Sequence, residues 1–186
     1  MRNFEKVIAH TLKWEGGLSR DKNDSASVNP CPTPYGGKTG WHTNKGITYA
    51  VWKSKKGKDN DVDFFNMSNE DWLLFYKTYY NAVKGDKINS DSIAFFATQI
   101  AWGSGAGNAG KQLQKACNML GAKLKVDGAI GPMTLSTVNS MDELEMFDAM
   151  YMVRKSFFES ISKGKNARFL QGWMNRLNDF YKNFKP

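Results

Sequence analysis

Ser68-Asn69-Glu70-Asp71-Trp72-Leu73-Leu74-Phe75-Tyr76-Lys77-Thr78-Tyr79-Tyr80-Asn81-Ala82-Val83-Lys84-Gly85 decides the fold class. Trp72, Phe75, Tyr76, Tyr79, Tyr80 and Val83 recur at i, i+3, i+4 and i+7, which gathers the large apolar groups on one helical face. Ser68 and Asp71 stand as a capping box ahead of the stripe, and Gly85 ends it. The same period returns on both sides. Downstream, Ser90 or Asp91 opens a helix through Ile93, Phe96, Ala97 and Ile100. The run Gly103-Ser104-Gly105-Ala106-Gly107 breaks it. Asn108 opens the next, with Leu113, Ala116, Cys117 and Leu120 inward, and Gly121 closes it. Pro132 suits the first turn of a short helix bearing Leu135 and Val138. Asp142 with Glu145 caps a longer one carrying Leu144, Phe147, Tyr151 and Phe158. Asn166 starts the last, with Phe169, Leu170, Trp173, Leu177, Phe180 and Tyr181. Upstream, a helix runs from about Thr48 to Gly57. Ahead of it Phe4, Val7, Ile8, Thr11 and Leu12 form a first stripe, capped by Asn3 and stopped at Gly16-Gly17. Residues 18–46 form one long irregular loop rich in Asn, Ser, Pro, Gly and Thr, with short strands expected around Thr39-Gly40-Trp41. The expectation is an all-α or nearly all-α protein of about seven or eight helices, with that loop after the first. A loop this long in a compact chain is usually functional.

Composition narrows the function classes. The chain has 186 residues, 41% apolar and 13% aromatic, enough to bury a sizeable core and too much for a disordered protein. No apolar run reaches the roughly 20 residues of a membrane-spanning helix. The first residues lack the apolar core of a signal peptide, so the expectation is synthesis in the cytoplasm, with any action outside the cell needing a release route. The net charge of +8 favours polyanions: nucleic acid, anionic membrane or cell-wall polymer. Its tightest cluster is Lys53-Ser54-Lys55-Lys56-Gly57-Lys58, with a second set at Lys163, Lys165 and Arg168. No nucleic-acid module signature accompanies either, and a solvated face explains them as well. Cys31 and Cys117 are too few for a disulfide scaffold and read most simply as free thiols, with a bridge between them as the alternative. His10 and His42 have no partner at ligand spacing, so neither a metal site nor a cofactor is expected.

The chemistry concentrates at Trp14-Glu15-Gly16-Gly17. Glu15 falls at a helix C-terminus, where the macrodipole disfavours a negative charge by roughly 0.3–1 kcal/mol. Trp14 could add an apolar wall, and both influences push a carboxyl toward the protonated form that a general acid needs. Gly16 and Gly17 leave room for a bulky polymer. The local pattern also reads as an ordinary exposed glutamate before a glycine cap. Glycoside hydrolysis needs a second carboxylate or a positioned water across the scissile bond. The loop offers Asp21 and Asp24, and Thr39, Thr43 and Thr48 could hold water; no spacing rule selects among them.

Glu15-Gly16-Gly17, a loop, then Thr43-Asn44-Lys45-Gly46-Ile47-Thr48 resembles the N-acetylmuramidases of glycoside hydrolase family 108, phage-type endolysins of which some are labelled secretion activator proteins. The second half is similar to the family's predicted peptidoglycan-binding region. The matching residues are Trp102-Gly103-Ser104-Gly105, Leu113-Gln114, Asp127-Gly128-Ala129-Ile130-Gly131-Pro132-Met133-Thr134-Leu135 and Gly172-Trp173-Met174-Asn175-Arg176. The resemblance implies a lysozyme-like helical fold, with a catalytic region over residues 1–100 and a peptidoglycan-binding region over 101–186 packed together as one compact unit. It implies a monomeric peptidoglycan hydrolase that cleaves between N-acetylmuramic acid and N-acetylglucosamine. Glu15 becomes the catalytic acid, with Thr43 as the group that positions water and Asp21 or Asp24 behind it. Trp41, Thr48, Trp102, Gln114 and Asp127 become candidates for substrate binding.

The family's loop usually carries Asp-Pro-x-Asp-x-Gly-Gly-x-Thr. Here Gly36-Gly37-Lys38-Thr39-Gly40-Trp41-His42-Thr43 stands instead, without an aspartate before the glycines. That departure leaves a wall-binding protein without catalysis as the alternative. The Asp127 segment also reads as a tight turn leading into a Pro-initiated helix. Trp173 reads as core, with Arg176 pairing with a carboxylate or laying its stem on Trp173.

Overall fold

The computed structural model describes residues 4–19, 43–56 and 61–186. Among these residues helices dominate, and the strands form one short hairpin. The elements are α1 (Phe4–Trp14), β1 (Thr43–Asn44), β2 (Ile47–Thr48), α2 (Tyr49–Lys56), α3 (Asp61–Phe65), α4 (Asn69–Ala82), α5 (Asp91–Ser104), α6 (Ala106–Met119), α7 (Pro132–Ser140), α8 (Glu143–Ile161) and α9 (Leu170–Phe184). Short 3-10 turns occupy Gly85–Lys87 and Gly164–Phe169. The helix that periodicity does not announce is α3, whose five residues are too few to show a repeat. Contacts divide the chain within α4 into two compact units, Asn3–Phe75 and Tyr76–Pro186.

In the unit ending at Phe75, the core is aromatic. Trp52, Phe64, Trp72 and Phe75 are fully or almost fully buried. The Trp52 ring stacks on Phe75 at 5.3 Å and meets Phe64 edge-on at 6.0 Å. The helix read first begins as its cap dictates: the Asp71 N–H donates to Ser68 Oγ at 3.0 Å. The Asp71 carboxylate accepts in return from the Ser68 hydroxyl at 2.9 Å. β1 and β2 form a two-residue hairpin, Thr43 opposite Thr48 and Asn44 opposite Ile47. Its turn residues Lys45 (φ 47°) and Gly46 (φ 78°) both adopt left-handed backbone, the twist that closes a tight hairpin. Side-chain bonds pin the hairpin to the chain that follows it. Asn44 Nδ2 donates to the Phe64 carbonyl (2.6 Å), Lys45 Nζ to the Met67 carbonyl (2.7 Å), and Trp72 Nε1 to the Lys45 carbonyl (2.9 Å). The basic run is partly neutralised, since Lys53 pairs with Asp61 at 2.8 Å and Lys56 with Asp71 at 2.5 Å. Lys56 holds the Asp71 carboxyl below the usual carboxylate range against the opposing pull of burial.

In the unit starting at Tyr76, α5 is the central helix, with Ile93, Phe95, Phe96 and Ile100 among its buried residues. Ser90 caps it, accepting from the Ile93 N–H. Phe96, Phe147 and Phe180 pack at 5.0–6.3 Å, and Phe180 stacks on Phe184 at 4.4 Å. Each such ring contributes on the order of 2–3 kcal/mol by leaving water. The glycine-rich break after α5 shrinks to one residue, Gly105 at φ 83°, which joins α5 directly to α6. Cys117 is buried in α6 as a free thiol, and burial pushes it up to about 11, so it is unreactive near neutral pH. Cys31 lies outside the described residues. No helix among the described residues is long and apolar enough to cross a membrane.

Candidate active site

Glu15 sits where the stripe of α1 runs out. Its N–H still bonds the carbonyls of Thr11 (3.2 Å) and Leu12 (3.3 Å), so the carboxylate-bearing residue is held at the helix end while the chain turns away. The side chain is half-buried, and beside it the Trp14 ring carries the Lys13 ammonium 5.5 Å from its centroid. Neither Gly16 nor Gly17 has left-handed φ, and a Cβ at either would meet no described atom within 4 Å. Among the described residues, therefore, neither backbone nor packing calls for glycine at these two positions.

The chain returns to this region through Ser19. Its N–H donates to the Thr43 carbonyl at 2.8 Å, and the Thr43 N–H donates to the Ser19 carbonyl at 3.3 Å. This bridge ties β1 to a point four residues beyond Glu15. Thr43 and Thr48, opposite each other in the hairpin, present their side chains on one face. Their hydroxyls differ. Thr48 Oγ1 accepts from the Val51 N–H at 3.3 Å and so caps α2. Thr43 Oγ1 is buried with no hydrogen-bond partner among the described residues. A buried hydroxyl left so costs about 1–3 kcal/mol unless water or substrate completes it. Asp21, Asp24 and Trp41 lie outside the described residues.

Trp102, Gln114 and Asp127 belong to the other unit. Trp102, in the last turn of α5, is half-exposed and held edge-on by Tyr79 at 5.1 Å and tilted against Tyr76 at 5.8 Å. That leaves a partly open indole on a rigid mount. Gln114 is different. It is 2% exposed, and its amide is committed: Nε2 donates to Asp127 Oδ1 and the Ala129 carbonyl, both at 3.0 Å, while Oε1 accepts from the Gly128 N–H at 2.8 Å. Asp127 Oδ1 also accepts from the Ala129 N–H at 2.9 Å, the Asx-turn that an Asp-Gly pair favours. Gln114 first, then the Ala129 N–H, hold the Asp127 carboxyl below the usual carboxylate range. Stability from that bond is present above the unfolded carboxylate range and lost as pH falls through the lower folded value. The tight turn read from Asp127-Gly128 is therefore present, clamped to α6 by a buried glutamine. Gln114→Leu removes these amide bonds and leaves the Gly128 N–H without its acceptor. It is expected to lower unfolding free energy by about 2–4 kcal/mol, seen as a lower urea midpoint; an unchanged midpoint would show the clamp to be dispensable.

Periodicity gave no notice of Arg154, 5% exposed on α8, or of the cavity it lines with Arg176 and Trp173. The signal was a cation at a core position, four residues after Met150 and four before Phe158. Trp173 is half-buried, stacked on Phe158 at 5.3 Å. Arg176 Nη2 donates to Gln99 Oε1 at 3.2 Å.

The helical frame, with one short hairpin after its first helix, is lysozyme-like. Residues 8–105 match the model of the family Glycosyl hydrolase 108, and residues 108–178 match that of a Predicted Peptidoglycan domain. The solved structure of Brucella abortus SagA is similar in fold, with a TM-score of 0.73 and 23% identity. The match covers 96% of this chain and 91% of that one. No curated protein matches the chain. The chain belongs to the glycosyl hydrolase 108 family. It is a glycoside hydrolase of the muramidase type, and peptidoglycan is its substrate.

Proposed function

We propose that Glu15 is the general acid of this muramidase and that Thr43 positions the attacking water. Glu15 gives its proton to the bridging oxygen as the bond from C1 of N-acetylmuramic acid to that oxygen breaks. The water oxygen bonds to C1 and its proton is released, which restores the acid form of Glu15 over the cycle. The observation that carries this reading is the buried Thr43 hydroxyl, without a hydrogen-bond partner among the described residues, on a hairpin bonded to the chain four residues past Glu15. Asp21 and Asp24 are the carboxylates the loop offers to receive the water's proton. Residues 1–100 would carry the chemistry and 101–186 the hold on the wall. Trp102 and Trp41 would stack on sugar rings, and Thr48 would line the hairpin face beside Thr43. Gln114 and Asp127 would serve binding through the turn they hold. The protein would act as a monomer and reach the wall by a release route that another component supplies.

Thr43→Val tests the assignment, because valine keeps the shape and removes the hydroxyl. Turnover of purified peptidoglycan, followed as new N-acetylmuramic acid reducing ends, is expected to fall by about ten- to a hundredfold through loss of water positioning. Unfolding free energy should stay within about 1 kcal/mol of wild type, since no protein hydrogen bond is lost. Full turnover in the variant would remove Thr43 from the mechanism. Products ending in N-acetylglucosamine would contradict the bond assignment.

A further inference from the structure

Arg154 lies on the inward side of α8 with 5% of its surface exposed. Of its five N–H donors, the hydrogen bond made is from Nη1 to Ser104 Oγ, at 2.9 Å. Its guanidinium carbon stands 4.2 Å from the Phe158 ring centroid and 5.1 Å from that of Phe157. The cation–π contacts return part of the lost hydration. No carboxylate among the described residues accompanies it. Burial, and then the like charge of Arg176, push this guanidinium below the usual arginine range. A buried charge without a counter-charge is among the costliest arrangements a core can hold, and an apolar residue of similar volume would serve stability better.

The surroundings explain what the charge faces. A cavity of about 250 Å³ opens between α5, α8 and α9, with Arg154, Arg176, Gln99 and Ser104 as its polar lining and Phe158 and Trp173 among its apolar walls. Gln99 Nε2 donates to Tyr76 Oη at 3.4 Å, which turns Oε1 toward Arg176. At Gly103 a Cβ would lie 3.3 Å from Arg154 Nη2, so the glycine of the Trp102-Gly103-Ser104 motif lets the guanidinium rest against α5. The space is smaller than the roughly 300–1,000 Å³ of sites that enclose a drug-sized ligand, and a glycan strand needs an open groove. A planar donor fork at the edge of a small apolar chamber matches a carboxylate on a short apolar body.

We infer that this cavity is a binding site for the C-terminal carboxylate of a short peptide, with Arg154 receiving the carboxylate and the aromatic walls taking small apolar side chains. Assigning that peptide to the stems of peptidoglycan rests on the muramidase reading; the capture of a peptide carboxylate does not.

The test is calorimetric titration of the full chain with D-alanyl-D-alanine, with its C-terminal amide and with inorganic phosphate. Wild type is expected to bind the free acid at least tenfold more tightly than the amide, and phosphate should not compete. Arg154→Met should weaken the acid about ten- to a hundredfold, the loss of one charge-assisted carboxylate contact. Arg154→Lys, which keeps the cation but loses the fork, should weaken it less; it also guards against a folding defect in the first variant, each variant being required to melt cooperatively. No binding by wild type, equal binding of acid and amide, competition by phosphate, or full affinity in a cooperatively folded Arg154→Met would each overturn the inference. The ratio of kcat/KM on intact wall to that on peptide-stripped glycan should fall about tenfold in Arg154→Met; an unchanged ratio would overturn the stem-peptide source. Failure of wild type to cleave stripped glycan would instead sink the muramidase mechanism and leave the titration result standing.

Discussion

Glu15→Gln is expected to slow clearing of a peptidoglycan suspension by about 10²–10⁴-fold, the usual contribution of a general acid, while the variant still sediments with the wall. Glutamine keeps the volume and the polar contacts and removes the transferable proton. The change should be confined to turnover, because the backbone bonds that hold residue 15 to Thr11 and Leu12 do not involve its side chain. Equal clearing by variant and wild type would exclude Glu15 as the acid. Lost clearing together with lost sedimentation would point to a folding or binding defect instead.

Gly110→Ala is expected to destabilise the protein by at least about 3 kcal/mol, read from the urea midpoint at unchanged slope. A Cβ at this position would stand 2.0 Å from the Gly128 carbonyl oxygen and 2.6 Å from its carbonyl carbon. Both are backbone atoms, so no rotamer change relieves the clash. The turn after Val126 would have to leave α6, breaking the clamp at Gln114 as it goes. Gly107, one turn earlier on the same helix, has open space where its Cβ would stand. Gly107→Ala should therefore stabilise by roughly 0.5–1 kcal/mol, since alanine is the better helix former. The pair of opposite signs separates close approach from helix propensity. A Gly110→Ala protein as stable as wild type would show that the turn moves freely against α6.

Much of the fold was legible because an amphipathic helix writes itself locally. The stripe from Trp72 to Val83, the caps at Ser90 and Asp142 and the proline opening α7 each depend on residues within one or two turns, and each is where its pattern places it. The end of α1 at Glu15 was legible for the same reason. The hairpin was less so. The strands lie at Thr43–Asn44 and Ile47–Thr48, turning on a lysine at positive φ, a conformation that propensity does not suggest for lysine. What holds it are bonds to carbonyls about 20 or more residues away, at Phe64 and Met67. The roles of Thr43 and Thr48 were equivalent on spacing alone. Tertiary pairing distinguishes them by spending one hydroxyl on the cap of α2 and leaving the other without a partner among the described residues.

By itself, then, the sequence determined the helical class, many of the helix ends though not the starts of α6 and α9, and the position of a glutamate where a stability-driven chain would place a cation. These follow from short-range periodicity and capping, which a single helix expresses alone. Only tertiary structure decided which threonine keeps an uncommitted hydroxyl, that Gln114 is a clamp on the Asp127 turn, and that Arg154 is enclosed without a counter-charge beside a small cavity. Burial and hydrogen-bond completion are properties of several elements packed together, and no local pattern along the chain records which donors and acceptors that packing leaves over.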